Sequence, residues 1–152
     1  MNADDWALRR AQPWDRAGWA ALRAALWPRE DAAGLEAEIP NMLAAPERLV
    51  AFLAFDANGR AIGLAEAALR HDYVNGTETS PVGFLEGWYV APEWRFRGIG
   101  RALVEAVAQW AQAQGCAELA SDALLENDES HAAHAGCGFE ETERVVYFRR
   151  RL

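Results

Sequence analysis

From Ile99 onward, Ala102, Leu103, Ala106, Val107, Trp110 and Ala111 recur at three- and four-residue spacing, with Arg101, Glu105, Gln109 and Gln112 facing away. That period predicts an amphipathic helix lying on a sheet, stopped by Gly115. Upstream the pattern is that of strands. The runs "RLVAFLAFD" and "AIGLAEAALR" flank an Asn-Gly turn and predict an antiparallel hairpin, and "GFLEGWYVA" predicts a third strand ending at Pro92. Before them, "WALRRAQP" predicts a short strand that Pro13 ends. Asp15 is placed to N-cap a helix through Trp27, with Trp19, Leu22 and Leu26 on one face and Pro28 as the stop. Leu35, Ile39, Met42 and Leu43 predict a looser helix, broken or restarted at Pro40 and finished before Pro46. After the long helix, "CAELASDA" predicts a short strand, "ENDESHAAHAGC" a short helix, and "FEETERVVYFRRRL" a closing strand or hairpin.

This order gives an α/β chain of the α+β type: a mixed, mainly antiparallel sheet flanked by helices, without the regular βαβ alternation of a doubly wound fold. At 152 residues, with no internal repeat or linker, residues 1–152 are expected to form one domain.

Composition narrows the partners. The net charge of −8 argues against nucleic acid and anionic membrane surfaces, both of which need a basic footprint. It is compatible with a cationic substrate, though on charge alone the simpler reading is that it keeps a small protein soluble. All the formal positive side-chain charge is arginine, with no lysine. The N-terminal "MNADDWALRR" shows no basic region followed by an apolar one, so cytoplasmic residence is expected. In that setting Cys116 and Cys137 are expected to be reduced, and no chemistry is assigned to them.

The chemistry-bearing stretch is "EWRFRGIGRAL". Gly98 and Gly100 fall between a strand and the first turn of a helix, where unpaired N–H groups and the positive dipole end suit a pyrophosphate. The third glycine of GxGxxG is missing and no GK[ST] follows, so neither common nucleotide loop is present. A glycine-rich turn that merely caps a helix has the same appearance.

The segment Arg95-Phe96-Arg97-Gly98-Ile99-Gly100 resembles the [RQ]-x-x-G-x-[GA] loop of the GNAT acetyltransferase superfamily, and the element order agrees over essentially the whole chain. A second GNAT pattern is met by Asn127, Ser130, His134 and Gly138-Phe139. The resemblance implies acetyl-CoA as cosubstrate and no metal. Its pyrophosphate would lie on the backbone N–H groups of Arg97, Gly98, Ile99, Gly100 and Arg101, in the loop opened by Arg95, with Asn127 on the pantetheine. His134 stands where the family usually has a tyrosine that protonates the departing thiolate, and an imidazole is an acid suited to neutral pH. The alternative is that His134 only packs beside the cofactor.

Acetyl transfer to an amine needs that amine neutral, so carboxylates near the thioester are the groups to find. Glu86 lies within the apolar strand, where a charge buried without a partner is costly, and Gly87 beside it signals a bulge. "LRHDYVNGTETSPVGFLEGWYV", "LASDA" and "CGFEETERVVYF" are similar to the aminoglycoside 6′-N-acetyltransferases within that superfamily. The likeness implies Glu86, Asp122 and Glu143 as acidic contacts to substrate amines, Trp27 and Tyr73 as sugar-contacting aromatics, and Glu86 as the base, acting through water. A backbone N–H near Tyr89 or Val90 is the expected donor to the thioester carbonyl oxygen. It implies a homodimer too. Two other functions remain open at this level: the same fold acetylating a polyamine or protein amine, and a non-catalytic CoA-binding module.

Overall fold

The computed structural model describes residue 2 and residues 4–152. Five strands run β1 (Trp6–Arg10), β2 (Leu49–Asp56), β3 (Ala61–Arg70), β4 (Val82–Val90) and β5 (Leu119–Ser121), and they lie in that order across one sheet. The first four pair antiparallel, and only β4 and β5 are parallel. The helices are α1 (Arg16–Leu26), α2 (Ala32–Ala37), α3 (Ile39–Leu43), α4 (Ile99–Ala113) and α5 (Asp128–Gly136). Pro40 stands at the start of α3, so the loose helix does restart there.

Each face of the sheet is covered by helix. The apolar stripe of α4, from Ile99 through Leu103 and Val107 to Trp110, packs on Val50, Ala54, Ile62, Ala65 and Leu85. On the opposite face Trp19 and Leu22 of α1 and Ile39 of α3 pack on Ala51, Leu53 and Leu64. Gly83 lets α4 approach closely, since a Cβ there would stand 2.8 Å from that of Ala111. Asp15 precedes α1 as expected but does not cap it. Its carboxylate instead accepts from Arg9 at 2.7 and 2.9 Å and from the Gln12 N–H at 2.7 Å, tying β1 to the start of the helix.

A bulge decides the geometry of β4. Glu66 pairs with Gly87 and Ala67 with Leu85, leaving Glu86 as the extra residue. Before the bulge Gly83 faces α4; after it Gly87 faces Leu26 and Trp27 at the end of α1, and Trp88 faces the α4 side against Gly100. The alternation has slipped by one residue.

The closing strand expected from "FEETERVVYFRRRL" does not form. Residues 140–152 are exposed and pair with neither edge of the sheet, and Val146, Tyr147 and Phe148 point their apolar surface to solvent. A strand requires a partner edge, and the nearest in sequence, β5, is three residues long.

Candidate active site

The parallel pairing of β4 with β5 ends at Leu85 and Ser121. Beyond that point β4 keeps β3 on one side and, among the described residues, has no strand on the other, so residues 86–90 present an edge whose backbone pairs with no strand. Against this split stands the N-terminus of α4. Gly98 is its N-cap, with φ +85° and no side-chain cap, and the first helical bond runs from the Ala102 N–H to the Gly98 carbonyl at 3.0 Å. The N–H groups of Gly98, Ile99, Gly100 and Arg101 therefore have no intrahelical partner. A side chain at Gly98 would meet nothing within 4 Å, so the positive φ, not crowding, calls for glycine. Phe96 is held at φ +62° with its ring in solvent, a strained non-glycine position in the same loop.

The arginines of this loop bind protein. Arg95 Nε donates to the Val90 carbonyl at 2.9 Å, Arg97 pairs with Asp4 at 3.1 Å, and Arg101 donates to the Gly136 carbonyl at 2.5 Å. They brace the loop on β4, the N-terminal segment and α5, and they leave the backbone amides as its free donors. Asn127 is likewise engaged, its Oδ1 accepting the Ser130 N–H at 3.1 Å as the cap of α5.

His134 is held on both ring nitrogens. Nδ1 lies 2.7 Å from the Ser130 carbonyl and Nε2 lies 2.7 Å from the Ser121 hydroxyl, while Trp88 and Phe139 pack edge-on against the ring. Ser121 therefore stands between the outer ring nitrogen and the place where β4 and β5 part.

On the α1 side of the bulge is a cavity of about 400 Å³, whose lining includes Trp27, Glu30, Glu38, Glu66 and Glu86 together with Arg23. Glu86 is not the buried carboxylate its apolar strand suggests. It is exposed, and its Oε1 accepts from Arg70 at 2.7 Å, because the bulge turns it out of the sheet. Gly87 beside it admits the Trp27 ring, which a Cβ would meet at 2.9 Å. The buried carboxylate is Glu66. It accepts from Trp19 Nε1 at 2.7 Å and from Arg23 at 2.9 and 3.2 Å, and Arg23 also reaches Glu38 at 2.7 Å.

Burial is the largest influence on Glu66 and pushes its carboxyl above the usual range; for Arg23 the loss of solvent is outweighed by the attraction of Glu66 and its bonds to Glu38 and Glu66, which raise its pKa. The partners of Glu66 are donors alone, so the geometry is that of an ionised pair. A signal for Glu66 did exist in the sequence, as a glutamate inside the apolar "AIGLAEAALR". Arg23 falls four residues after Trp19 and four before Trp27, on the same face of the helix.

Of the five expected substrate contacts, Trp27 and Glu86 line this cavity. Tyr73, Asp122 and Glu143 are exposed and take no part in its lining. The polar loop bearing Tyr73 is pinned rather than loose. The Glu118 carboxylate accepts the Glu78 and Thr79 N–H groups at 2.9 and 2.8 Å, Thr79 Oγ1 bonds it as well, and Val74 packs with Val82, Phe84 and Ala120. The Thr142 side chain fills the space beside Gly76, so the segment carrying Glu143 passes the same loop.

A bare helix N-terminus beside a parallel strand pair that splits, on a mainly antiparallel sheet, defines the class. The chain belongs to the acetyltransferase (GNAT) family, whose sequence model matches residues 14–139. Among its relatives, an aminoglycoside N(6′)-acetyltransferase type 1 of Stenotrophomonas maltophilia is 58% identical over 152 residues, covering 100% of this chain and 97% of the relative. One of Salmonella typhimurium is 50% identical over 105 residues, 69% of this chain and 72% of that protein. Among solved structures, AAC(6′)-Iy in complex with the bisubstrate analogue CoA-S-monomethyl-acetylneamine superposes with a TM-score of 0.92 at 42% identity, covering 97% of this chain and 99% of that one. The aminoglycoside 6′-N-acetyltransferase AAC(6′)-Ih from Acinetobacter baumannii gives 0.90 at 42% identity, with 97% and 99% coverage.

Proposed function

We propose that this protein transfers the acetyl group of acetyl-CoA to the 6′-amine of aminoglycosides and thereby confers resistance to them. The observation that carries this reading is the likeness to a structure binding a single ligand that joins CoA to an acetylated neamine. In this chain a free amide row with an open strand edge and a carboxylate-lined cavity meet at the Glu86 bulge, as such a joined ligand requires.

Acetyl-CoA fits the first half. The N–H groups from Arg97 to Arg101 would hold its pyrophosphate, and the free edge of β4 offers donors and acceptors to the amides of its pantetheine. The Ala91 N–H bonds to Ile62 at 2.8 Å, so that residue faces β3, and by antiparallel alternation Val90 faces the split. The Val90 N–H is then the donor to the carbonyl oxygen that gains charge on attack. Asn127, besides capping α5, keeps its NH₂ group for the pantetheine. In the second half Trp27 takes a sugar face and Glu86 is the base, acting through water, with Arg70 occupying the position of a substrate ammonium until one arrives. Asp122, at the exit of β5, and Tyr73 and Glu143, on the neighbouring loop and closing segment, bind amines and rings that project beyond the cavity. Holding amine and thioester together removes an entropic barrier of up to about 7–11 kcal/mol.

The protein works as one domain spanning residues 1–152, in the cytoplasm, and as a homodimer. The exposed apolar strip Val145–Phe148 and the unpaired outer edge of β5 support the dimer. The deciding assay follows acetyl-CoA consumption with kanamycin A and with its 6′-deamino analogue. Turnover is expected with the first alone, and equal rates would defeat the regiochemistry.

A further inference from the structure

We infer that Ser121 and His134 form a proton relay to the sulfur of CoA, with the Ser121 hydroxyl touching the sulfur and the imidazole behind it as the proton reserve. The inference rests on the acetyl-transfer reading above and assigns to it a group that neither the loop nor the acidic cavity supplies. Two hydrogen bonds and one position in the sheet carry it.

The Ser130 carbonyl, 2.7 Å from Nδ1, only accepts, so Nδ1 carries a hydrogen and the ring is fixed with Nε2 turned to Ser121 Oγ, also at 2.7 Å. Trp88 and Phe139 close the sides of the ring, at centroid distances of 5.3 and 5.1 Å, so its outer nitrogen reaches the split only through the serine. Ser121 is the last residue of β5 and the register partner of Leu85, one residue before the bulged Glu86. Its hydroxyl therefore stands at the fork where β4 and β5 part, between the amide row of α4 and the carboxylate cavity.

The two protonation states of the ring give the hydroxyl opposite orientations. With a neutral ring, Nε2 accepts and the Ser121 proton points at His134. With an imidazolium, Nε2–H donates to Ser121 Oγ, and the hydroxyl proton turns to the fork, where its partner is the Leu85 carbonyl at a long 3.4 Å until the CoA sulfur offers a better acceptor. The charged state is the one that delivers a proton. As the C–S bond breaks, its electron pair goes to sulfur. The Ser121 proton moves to sulfur, the Nε2 proton moves to the Ser121 oxygen, and a neutral ring with hydrogen on Nδ1 remains, to be recharged by a proton from solvent. The ionisable groups on the elements around the ring are Glu86 and Tyr89 on β4, Asp122 after Ser121, Arg101 and Glu105 on α4, Asp128, Glu129 and His131 on α5, and Cys137 beyond it. None of them bonds the ring, whose hydrogen-bond partners are serine atoms alone. His134 on this account is a positioning and proton-storing residue, and Ser121 is the catalytic one.

The test combines kinetics with a measurement that needs no turnover. Ser121→Ala and His134→Ala should each lower kcat with kanamycin by about 10²-fold while acetyl-CoA KM stays within about twofold, and the double variant should be no slower than either. Ser121→Thr, which keeps the hydroxyl, should restore most of the rate. The wild-type fall in kcat at high pH should flatten in both alanine variants. Independently, ¹⁵N NMR of the CoA-bound protein should show His134 with hydrogen on Nδ1 in its neutral form, and its Nε2 signal should shift in Ser121→Ala as that hydrogen bond is lost. Additive losses in the double variant, an unshifted Nε2 signal, or full activity in Ser121→Ala would each overturn the relay. Absence of transfer to kanamycin by the wild type would instead overturn the substrate reading, and the NMR result would still decide whether serine, ring and CoA are coupled.

Discussion

The guanidinium of Arg23 and the indole of Trp19 supply three bonds to Glu66, and removal of the acid would leave Arg23 buried with only Glu38 and the Leu35 carbonyl. Glu66→Leu is expected to cost about 3–5 kcal/mol, read as a lower urea midpoint, since breaking one side of a buried pair strands the other charge. Glu86→Gln should behave differently. Its carboxylate is exposed, so stability should hold while kcat/KM for kanamycin falls about 10²-fold and acetyl-CoA affinity stays level. Turnover near wild type would remove Glu86 from the base role. The special status of Glu86 was legible in its apolar strand, and so was the bulge, from Gly87. Its exposure was not, because which way a bulged residue turns depends on the register of the neighbouring strand. Arg23 escaped notice because an arginine on an amphipathic helix ordinarily faces solvent, and its partner lies 43 residues away in sequence.

Among the elements, α4 and the β2–β3 hairpin were the plainest in the sequence, since each declares itself by local period. The closing strand failed for the complementary reason: periodicity reports a capacity to pair, while pairing needs an edge. At the start of α4, Gly98→Val should lower stability by about 1–2 kcal/mol, because φ +85° is disfavoured for any residue with a Cβ. The same variant should weaken acetyl-CoA binding by about tenfold or more by calorimetry, on the order of 1.4 kcal/mol, if the amide row holds the pyrophosphate. At the other end of the chain, Arg9 bonding, opposed by burial and helped by the Gln12 N–H, holds Asp15 below the usual carboxylate range. A depressed folded pKa means stability that is full above the unfolded value near ~3.9 and lost as pH falls through the folded one. Asp15→Asn should therefore lower Tm at pH 7, by about 1–2 kcal/mol in stability given the half-exposed Arg9, and the gap to wild type should close below about pH 4.

At the scale of the whole molecule, the exposed strip Val145–Phe148 is the feature least at home in an isolated chain. Sedimentation equilibrium should give about twice the 16.8 kDa chain mass, and a variant ending at Glu140 should sediment as a monomer. A full-length monomer would leave the strip unexplained by self-association. The slip in β4 has another consequence. Removing Glu86 would do more than delete a carboxylate: it would restore strict alternation and turn Gly87 and Trp88 to the opposite faces from those they now occupy. A saturation scan of β4 should therefore show two tolerance patterns of opposite parity, joined at residue 86. An acid moved elsewhere on the strand should not rescue the deletion, since the lost feature is the phase that sends Gly87 to the end of α1 and Trp88 to the start of α4.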